Sequence, residues 1–166
     1  MAIDESIFTL VVARHGKANQ DSTTGRDEDR ELLERGERQA RYLGAAIAER
    51  RPGLLLTSDL VRAAQTSGVI MESLSCPWRF EPSLRTGHDA AEVVRVIASE
   101  RATCGAALVL VGHNPQLEQL LGVLCADRSM RGHQMRTGEA VLVRAPRAGT
   151  LMRACEGLDR LRLEGD

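Results

Sequence analysis

Ile7-Phe8-Thr9-Leu10-Val11-Val12-Ala13 runs directly into Arg14-His15-Gly16. It is a short apolar run of strand-forming residues that breaks into a polar, glycine-containing exit, which reads as a first strand. Lys17 to Arg30 is polar and turn-rich and reads as a loop. Leu33 to Arg50 carries Ala40, Leu43, Ala46 and Ile47 at helical spacing, with Pro52-Gly53 as a stop. A second buried strand is expected over Leu54 to Thr57, a helix over Asp59 to Leu74 and a weak strand over Trp78 to Phe80. Asp89 to Glu100 is a helix whose start is written as a capping box, with Asp89 as N-cap and Glu92 three residues on.

Ala106 to Val111 is a continuous apolar strand, central and covered on both faces. Asn114-Pro115 then opens a helix to about Leu124, with Asn114 as N-cap and Pro115 at the first helical position. Ala140 to Val143 is a further strand, and Leu151 to Ala154 is expected to be an edge strand. Strands alternating with helices predict an α/β fold, a three-layer α/β/α sandwich around a mostly parallel sheet. Neither repeats nor a linker divide the chain, so residues 1–166 are expected to form one domain.

Composition narrows the function. Lys and Arg number 22 against 23 Asp and Glu, a net charge of -1 that argues against general attraction to nucleic acid or membrane. Aromatics make up 2% of the chain, which leaves no platform for stacking bases. The basic residues are nearly all arginine, whose planar fork suits phosphate and carboxylate. Cys76, Cys104, Cys125 and Cys155 stand far apart and form no CxxC pair, so neither a metal site nor a redox motif is indicated, and they read as reduced core residues. Met1 to Glu5 has no basic leader, and no apolar run reaches the ~20 residues needed to span a bilayer. The expected compartment is the cytoplasm.

In open α/β sheets, ligands bind beyond the carboxyl ends of the strands. The first strand exits into Arg14-His15-Gly16, the second into Ser58-Asp59-Leu60-Val61-Arg62-Ala63-Ala64-Gln65-Thr66, and the central strand into Gly112-His113-Asn114-Pro115. Two arginines and two histidines are thus delivered to one rim. Arg14 and Arg62 could grip non-bridging phosphoryl oxygens in bidentate fashion and offset a charge of about -1.5 to -2. The helix N-termini after Ser58 and Asn114 favour the same anion. One histidine, held neutral, could attack phosphorus while the other donates to the equatorial oxygens. Gly16 would let the backbone pass close to the anion.

With these three motifs in this order, the sequence resembles the histidine phosphatase superfamily, also called phosphoglycerate mutase-like, and within it the short SixA-like branch of phosphohistidine phosphatases. The resemblance extends to Arg30-Glu31-Leu32-Leu33-Glu34-Arg35-Gly36-Glu37-Arg38-Gln39-Ala40 and to Gln134-Met135-Arg136-Thr137-Gly138-Glu139-Ala140, and so covers nearly the whole chain. It implies a phosphoglycerate mutase-like fold, His15 as the nucleophile that becomes phosphorylated, and Arg14, Arg62 and His113 as the rest of the phosphate pocket. It implies no metal and no cofactor. The partner it implies is a phosphorylated protein or a small phosphorylated substrate.

One position departs from the pattern. Many relatives place a leaving-group acid two residues after a leucine at the exit of the next strand, and here Leu84-Arg85-Thr86 puts a threonine there. Asp89 and His88 lie nearby, but Asp89 reads first as a helix cap and His88 as a loop residue. An alkoxide leaves poorly without an acid, whereas the P–N bond of a phosphohistidine is more labile. The missing acid therefore tilts the reading toward phosphohistidine, as does a chain with little spare length for insertions over the site, which predicts a shallow, open pocket. The alternatives are a small-molecule phosphomonoesterase and a non-catalytic phosphate- or phosphoprotein-binding module. Arg128 to Arg136 reads as a solvated basic loop or as a positive rim that steers an acidic partner.

Overall fold

A computed structural model describes residues 5–128 and 130–165. Its sheet has six strands in the order β3-β2-β4-β1-β5-β6. These are β1 (Ile7–Arg14), β2 (Pro52–Thr57), β3 (Trp78–Phe80), β4 (Ala107–Gly112), β5 (Ala140–Pro146) and β6 (Glu156–Leu161). The pairings β1–β4, β2–β4 and β2–β3 are parallel, and β5 is antiparallel to both β1 and β6, so β5 alone runs against the rest. Four helices complete the fold: α1 (Glu34–Ala48), α2 (Val61–Met71), α3 (Ala90–Glu100) and α4 (Gln116–Leu124).

The side-chain period of two sorts the central strands onto two faces. Val11, Ala13, Leu55, Val109 and Val111 pack with Leu43 and Ile47 of α1 and Ala63 and Ile70 of α2. Their neighbours Leu10, Val12, Leu54, Leu56, Leu108 and Leu110 pack with Val93 and Ile97 of α3 and Leu117, Leu120 and Leu124 of α4. Every residue of β4 is buried, as expected of a strand covered on both sides. The three-layer sandwich thus follows from helices that each bury one apolar stripe against a sheet that has two.

Helix α3 starts with the expected capping box: Asp89 Oδ1 accepts from Ala91 N at 2.9 Å, and Glu92 Oε1 accepts from Asp89 N at 3.3 Å. Three expectations are corrected. Pro52 and Gly53 belong to β2 rather than to a helix stop, because Gly53 N donates to Cys104 O at 3.0 Å. Asn114 does not cap α4, whose N-cap is Pro115. The Asn114 side chain instead donates to Glu118 Oε1 at 2.7 Å and to Met135 O at 3.0 Å. Leu151 to Ala154 is a turn packed on the end of α4, where Arg153 N and Cys155 N donate to Val123 O and Leu124 O at 2.9 and 3.0 Å. The edge strand is β6, mostly exposed and polar, and therefore without an apolar pattern to find.

Strand order decides where a ligand can enter. β1 and β4 are neighbours, yet β1 leads into α1 on one face and β4 leads into α4 on the other. Connections that diverge in this way open a crevice at the carboxyl ends of the two strands. No helix among the described residues is long and apolar enough to cross a membrane.

Candidate active site

The crevice holds all four residues that the sequence picks out. Arg14 ends β1, and His15 follows it with its backbone fixed on both sides. His15 N donates to Gly112 O at 3.1 Å, and His15 O accepts from Gly138 N at 2.9 Å. His113 follows β4, and its ring centroid lies 5.1 Å from that of His15. Arg62 comes from the first turn of α2. His15, Arg62 and His113 are 6%, 3% and 2% exposed, so the site is recessed rather than shallow. Asp27, in a single 3-10 turn over Asp27–Asp29, reaches across Arg62.

The hydrogen bonds choose the tautomer of His15. Its Nδ1 lies 2.8 Å from Gly16 O. A carbonyl oxygen only accepts, so Nδ1 carries the proton and Nε2 keeps its lone pair. Burial pushes the His15 pKa down to about 4, the bond to Gly16 O opposes this, and the charges of Arg62, Arg14 and Arg30 push the same way as burial. The ring is neutral at pH 7.

His113 is neutral for similar reasons. Burial first, then His15 and Arg62, push its pKa down to about 3. Its Nε2 lies 2.8 Å from Ser58 Oγ, which also accepts from Leu60 N at 3.3 Å. A hydroxyl that donates to Nε2 uses its one proton and leaves Nδ1–H free. His113 Nδ1, Arg14 Nε and Arg62 Nε are all buried without a hydrogen-bond partner. Buried polar atoms are rarely left this way, and here three of them come from the residues of one crevice. The arrangement can surround an oxyanion with donors while presenting an unprotonated ring nitrogen.

The arginines are set by groups that the sequence reading gave no role. Arg62 Nη2 donates to Asp27 Oδ2 at 3.0 Å and Nη1 donates to Asp27 O at 2.8 Å. Arg30 Nε donates to Asp27 Oδ1 at 2.8 Å and its charge is felt at both His15 and Arg62. Burial disfavours the Arg14 charge, and Glu118 and Glu139 offset this. Arg14 Nη1 donates to Met135 O at 2.8 Å, and Glu118 Oε1 accepts from Met135 N at 2.9 Å, which holds that wall. The acidic-to-basic spacing of Asp27 and Arg30 was a visible signal for a pair that could act together. Nothing local marks Glu118 or Glu139, which come from a helix turn and a loop.

Gly16 meets a constraint that the sequence does not show. A Cβ there would stand 2.6 Å from Gly36 O and 2.9 Å from Gly36 Cα, so the backbone of α1 leaves no room for a side chain. Gly36 is reciprocal: its Cβ would meet Lys17 O at 2.2 Å. Gly16 N donates to Thr66 Oγ1 at 3.0 Å, which ties the first motif to α2.

Thr86 lines a cavity of about 380 Å³ with Asp27, Glu28 and Arg85. Both carboxylates there are paired with arginine: Asp27 with Arg62 and Arg30, Glu28 with Arg26 and Arg85. Burial, the largest single effect, pushes the Asp27 pKa up, but the charges and hydrogen bonds of Arg62 and Arg30 together outweigh it and hold the group below its ordinary value. Asp89 is occupied as the α3 cap, and His88 Nδ1 lies 3.0 Å from Glu92. Among the described residues, no group of three or more His, Cys, Asp or Glu could hold a metal ion.

Comparison with known proteins finds the same fold. The family model for the histidine phosphatase superfamily, branch 1, matches residues 10–88. The SixA structure from Agrobacterium tumefaciens superposes with a TM-score of 0.80 at 22% identity, covering 94% of this chain and 98% of that one. The protein histidine phosphatase SixA complexed with tungstate gives 0.78 at 19% identity, with 93% and 97% covered. A mycobacterial glucosyl-3-phosphoglycerate phosphatase gives 0.70 at 20% identity, with 84% and 91% covered. No curated protein sequence matches the chain.

Proposed function

We propose that this chain, a member of the histidine phosphatase superfamily, hydrolyses phosphohistidine on a protein through a covalent phospho-His15 intermediate. The observation that carries the reading is the bond from His15 Nδ1–H to Gly16 O, which leaves Nε2 unprotonated beside the unpartnered Nε–H groups of Arg14 and Arg62 and the unpartnered Nδ1 of His113.

In the first step Nε2 of His15 attacks phosphorus in line. The substrate P–N bond breaks, and its electron pair stays on the leaving imidazole, which takes a proton from solvent. Arg14, Arg62 and the Nδ1–H of His113 donate to the phosphoryl oxygens as charge redistributes. In the second step water attacks phospho-His15, the new P–N bond breaks back to Nε2, and inorganic phosphate leaves. No metal or cofactor enters either step.

The substrate class rests on the leaving group. Asp27 and Glu28 are held as arginine-bound carboxylates beside Thr86, and Asp89 is spent on a helix cap, so a poor alkoxide leaving group finds no ready proton donor. A phosphoramidate needs one less. A small phosphate ester is the second reading, favoured by the fold likeness to glucosyl-3-phosphoglycerate phosphatase.

The test compares wild type and His15→Ala on a phosphohistidine protein and on para-nitrophenyl phosphate, with alkali-quenched labelling of the enzyme. A wild-type preference for phosphohistidine and a label lost in the variant are expected. A preference for the aryl ester would replace the substrate. An unlabelled wild-type enzyme that still turned over would end the covalent mechanism, and binding without turnover would make the chain a phosphate-binding module.

A further inference from the structure

A second cavity, of about 560 Å³, shares a wall with the His15 crevice. The wall is the segment 135–139. On one side Met135 O takes Arg14 Nη1, Gly138 N reaches His15 O, and Glu139 O accepts from Arg14 N at 2.9 Å. On the other side Gln134, Arg136 and Glu139 face Arg160, Arg162 and Glu164 at the end of β6.

Charge in this cavity is unevenly matched. Arg136 and Arg162 are exposed and form no ion pair among the described residues. The Glu139 carboxylate is 4% exposed and already engaged, with Oε1 2.5 Å from His133 Nε2 and Oε2 accepting from Arg136 N at 2.9 Å. Arg160 Nη1 lies 3.3 Å from His133 Nδ1, which ties that guanidinium to the cavity lining. Three guanidinium groups therefore face two carboxylates, one of them buried and saturated.

We propose that this cavity is a docking subsite for an acidic side chain of the phosphorylated protein, bound beside the phosphohistidine while its phosphoryl group enters the crevice. The inference rests on the phosphohistidine-protein reading and adds a specificity to it. A carboxylate fits the planar forks of Arg136 and Arg162, and the shared wall places it next to the reacting group. A simple aryl phosphate such as para-nitrophenyl phosphate has no second anion to put there.

Two phosphohistidine peptides test this, one flanked by Asp and Glu and the other by Asn and Gln. The enzymes are wild type and Arg136→Ala/Arg162→Ala, whose substituted side chains are exposed and outside the catalytic set. Wild type should favour the acidic peptide about tenfold in kcat/KM. The double variant should lose that preference while keeping its rate on para-nitrophenyl phosphate. Equal rates of wild type on both peptides, or a preference that survives in the double variant, would overturn the subsite. Fluorescence anisotropy of the unphosphorylated acidic peptide separates the two claims. Binding by wild type that the double variant loses, without phosphohistidine turnover, would keep the subsite and remove the phosphohistidine reading. Absent or unaltered binding in that case would remove the subsite as well.

Discussion

Asp27 holds Arg62 by two atoms at once, its carboxylate Oδ2 accepting from Nη2 at 3.0 Å and its backbone O from Nη1 at 2.8 Å. The same carboxylate accepts from Arg30 Nε at 2.8 Å through Oδ1. Two guanidinium groups that repel one another are thus held by one carboxylate, close enough for both charges to act on His15, and Nε of Arg62 is left for an incoming anion.

Asp27→Ala should therefore lower kcat/KM by about fivefold, chiefly by freeing Arg62 and Arg30 to separate. The effect stays moderate because the Asp27 side chain is 64% exposed and the backbone contact survives. Asp27→Asn, which keeps an acceptor oxygen, should lose less. Steady-state kinetics on one phosphohistidine substrate checks both, and a gain in rate would show that Asp27 obstructs the site instead.

The pH dependence follows from the two buried rings. His15 and His113 have pKa values pushed down to about 4 and about 3 from an ordinary 6.5. Between pH 6.5 and about 4 the unfolded chain holds protons that the folded chain refuses, so stability is full above pH 6.5 and falls as the pH drops through that window. The rings are close enough to titrate as a pair. NMR of the two imidazoles should show no titration between about pH 5.5 and 7.5, and thermal midpoints should fall steadily below about pH 6. A ring that titrates near 6.5 would contradict the neutral nucleophile.

Ser58→Ala should act on catalysis through His113. Without the Oγ proton, nothing holds the tautomer that leaves Nδ1–H free. A fall of about tenfold in kcat with little change in KM is expected, since the lost hydrogen bond strengthens as charge shifts in the transition state. A change confined to KM would mean that His113 serves ground-state binding only.

Gly16→Ala should cost about 2 kcal/mol, because its methyl group would meet the Gly36 carbonyl, a backbone atom that cannot swing away. The thermal midpoint should drop by about 6 °C, with turnover impaired as the His15 backbone shifts. Differential scanning calorimetry of Gly16→Ala beside Gly68→Ala, where nothing lies within 4 Å of the added methyl, isolates the clash from the loss of a glycine.

The layers and most elements could be read from residue patterns, because burial writes itself into the chain. The unbroken apolar run of β4 and the nearly unbroken one of β1 follow from a sheet covered on both faces. The Asp89 capping box is a contact between residues three apart, so its chemistry is local and visible. β6 escaped because an exposed edge strand has no apolar rhythm, and Leu151, the one buried residue of the 151–154 turn, drew the expectation there instead. Asn114 was misplaced because its partners, Glu118 and Met135, are set by how α4 and the 135–139 segment pack.

The sequence by itself determined that Arg14, His15, Arg62 and His113 would gather, since each follows or soon succeeds a strand end and such ends share one rim. Only the tertiary structure decided what they can do there. The proton on His15 is placed by a backbone carbonyl, the charge on both rings by burial, the aim of Arg62 by Asp27, and the need for Gly16 by the approach of α1. Each of these is a contact or a dielectric environment made when distant segments pack, and spacing along the chain carries no record of it.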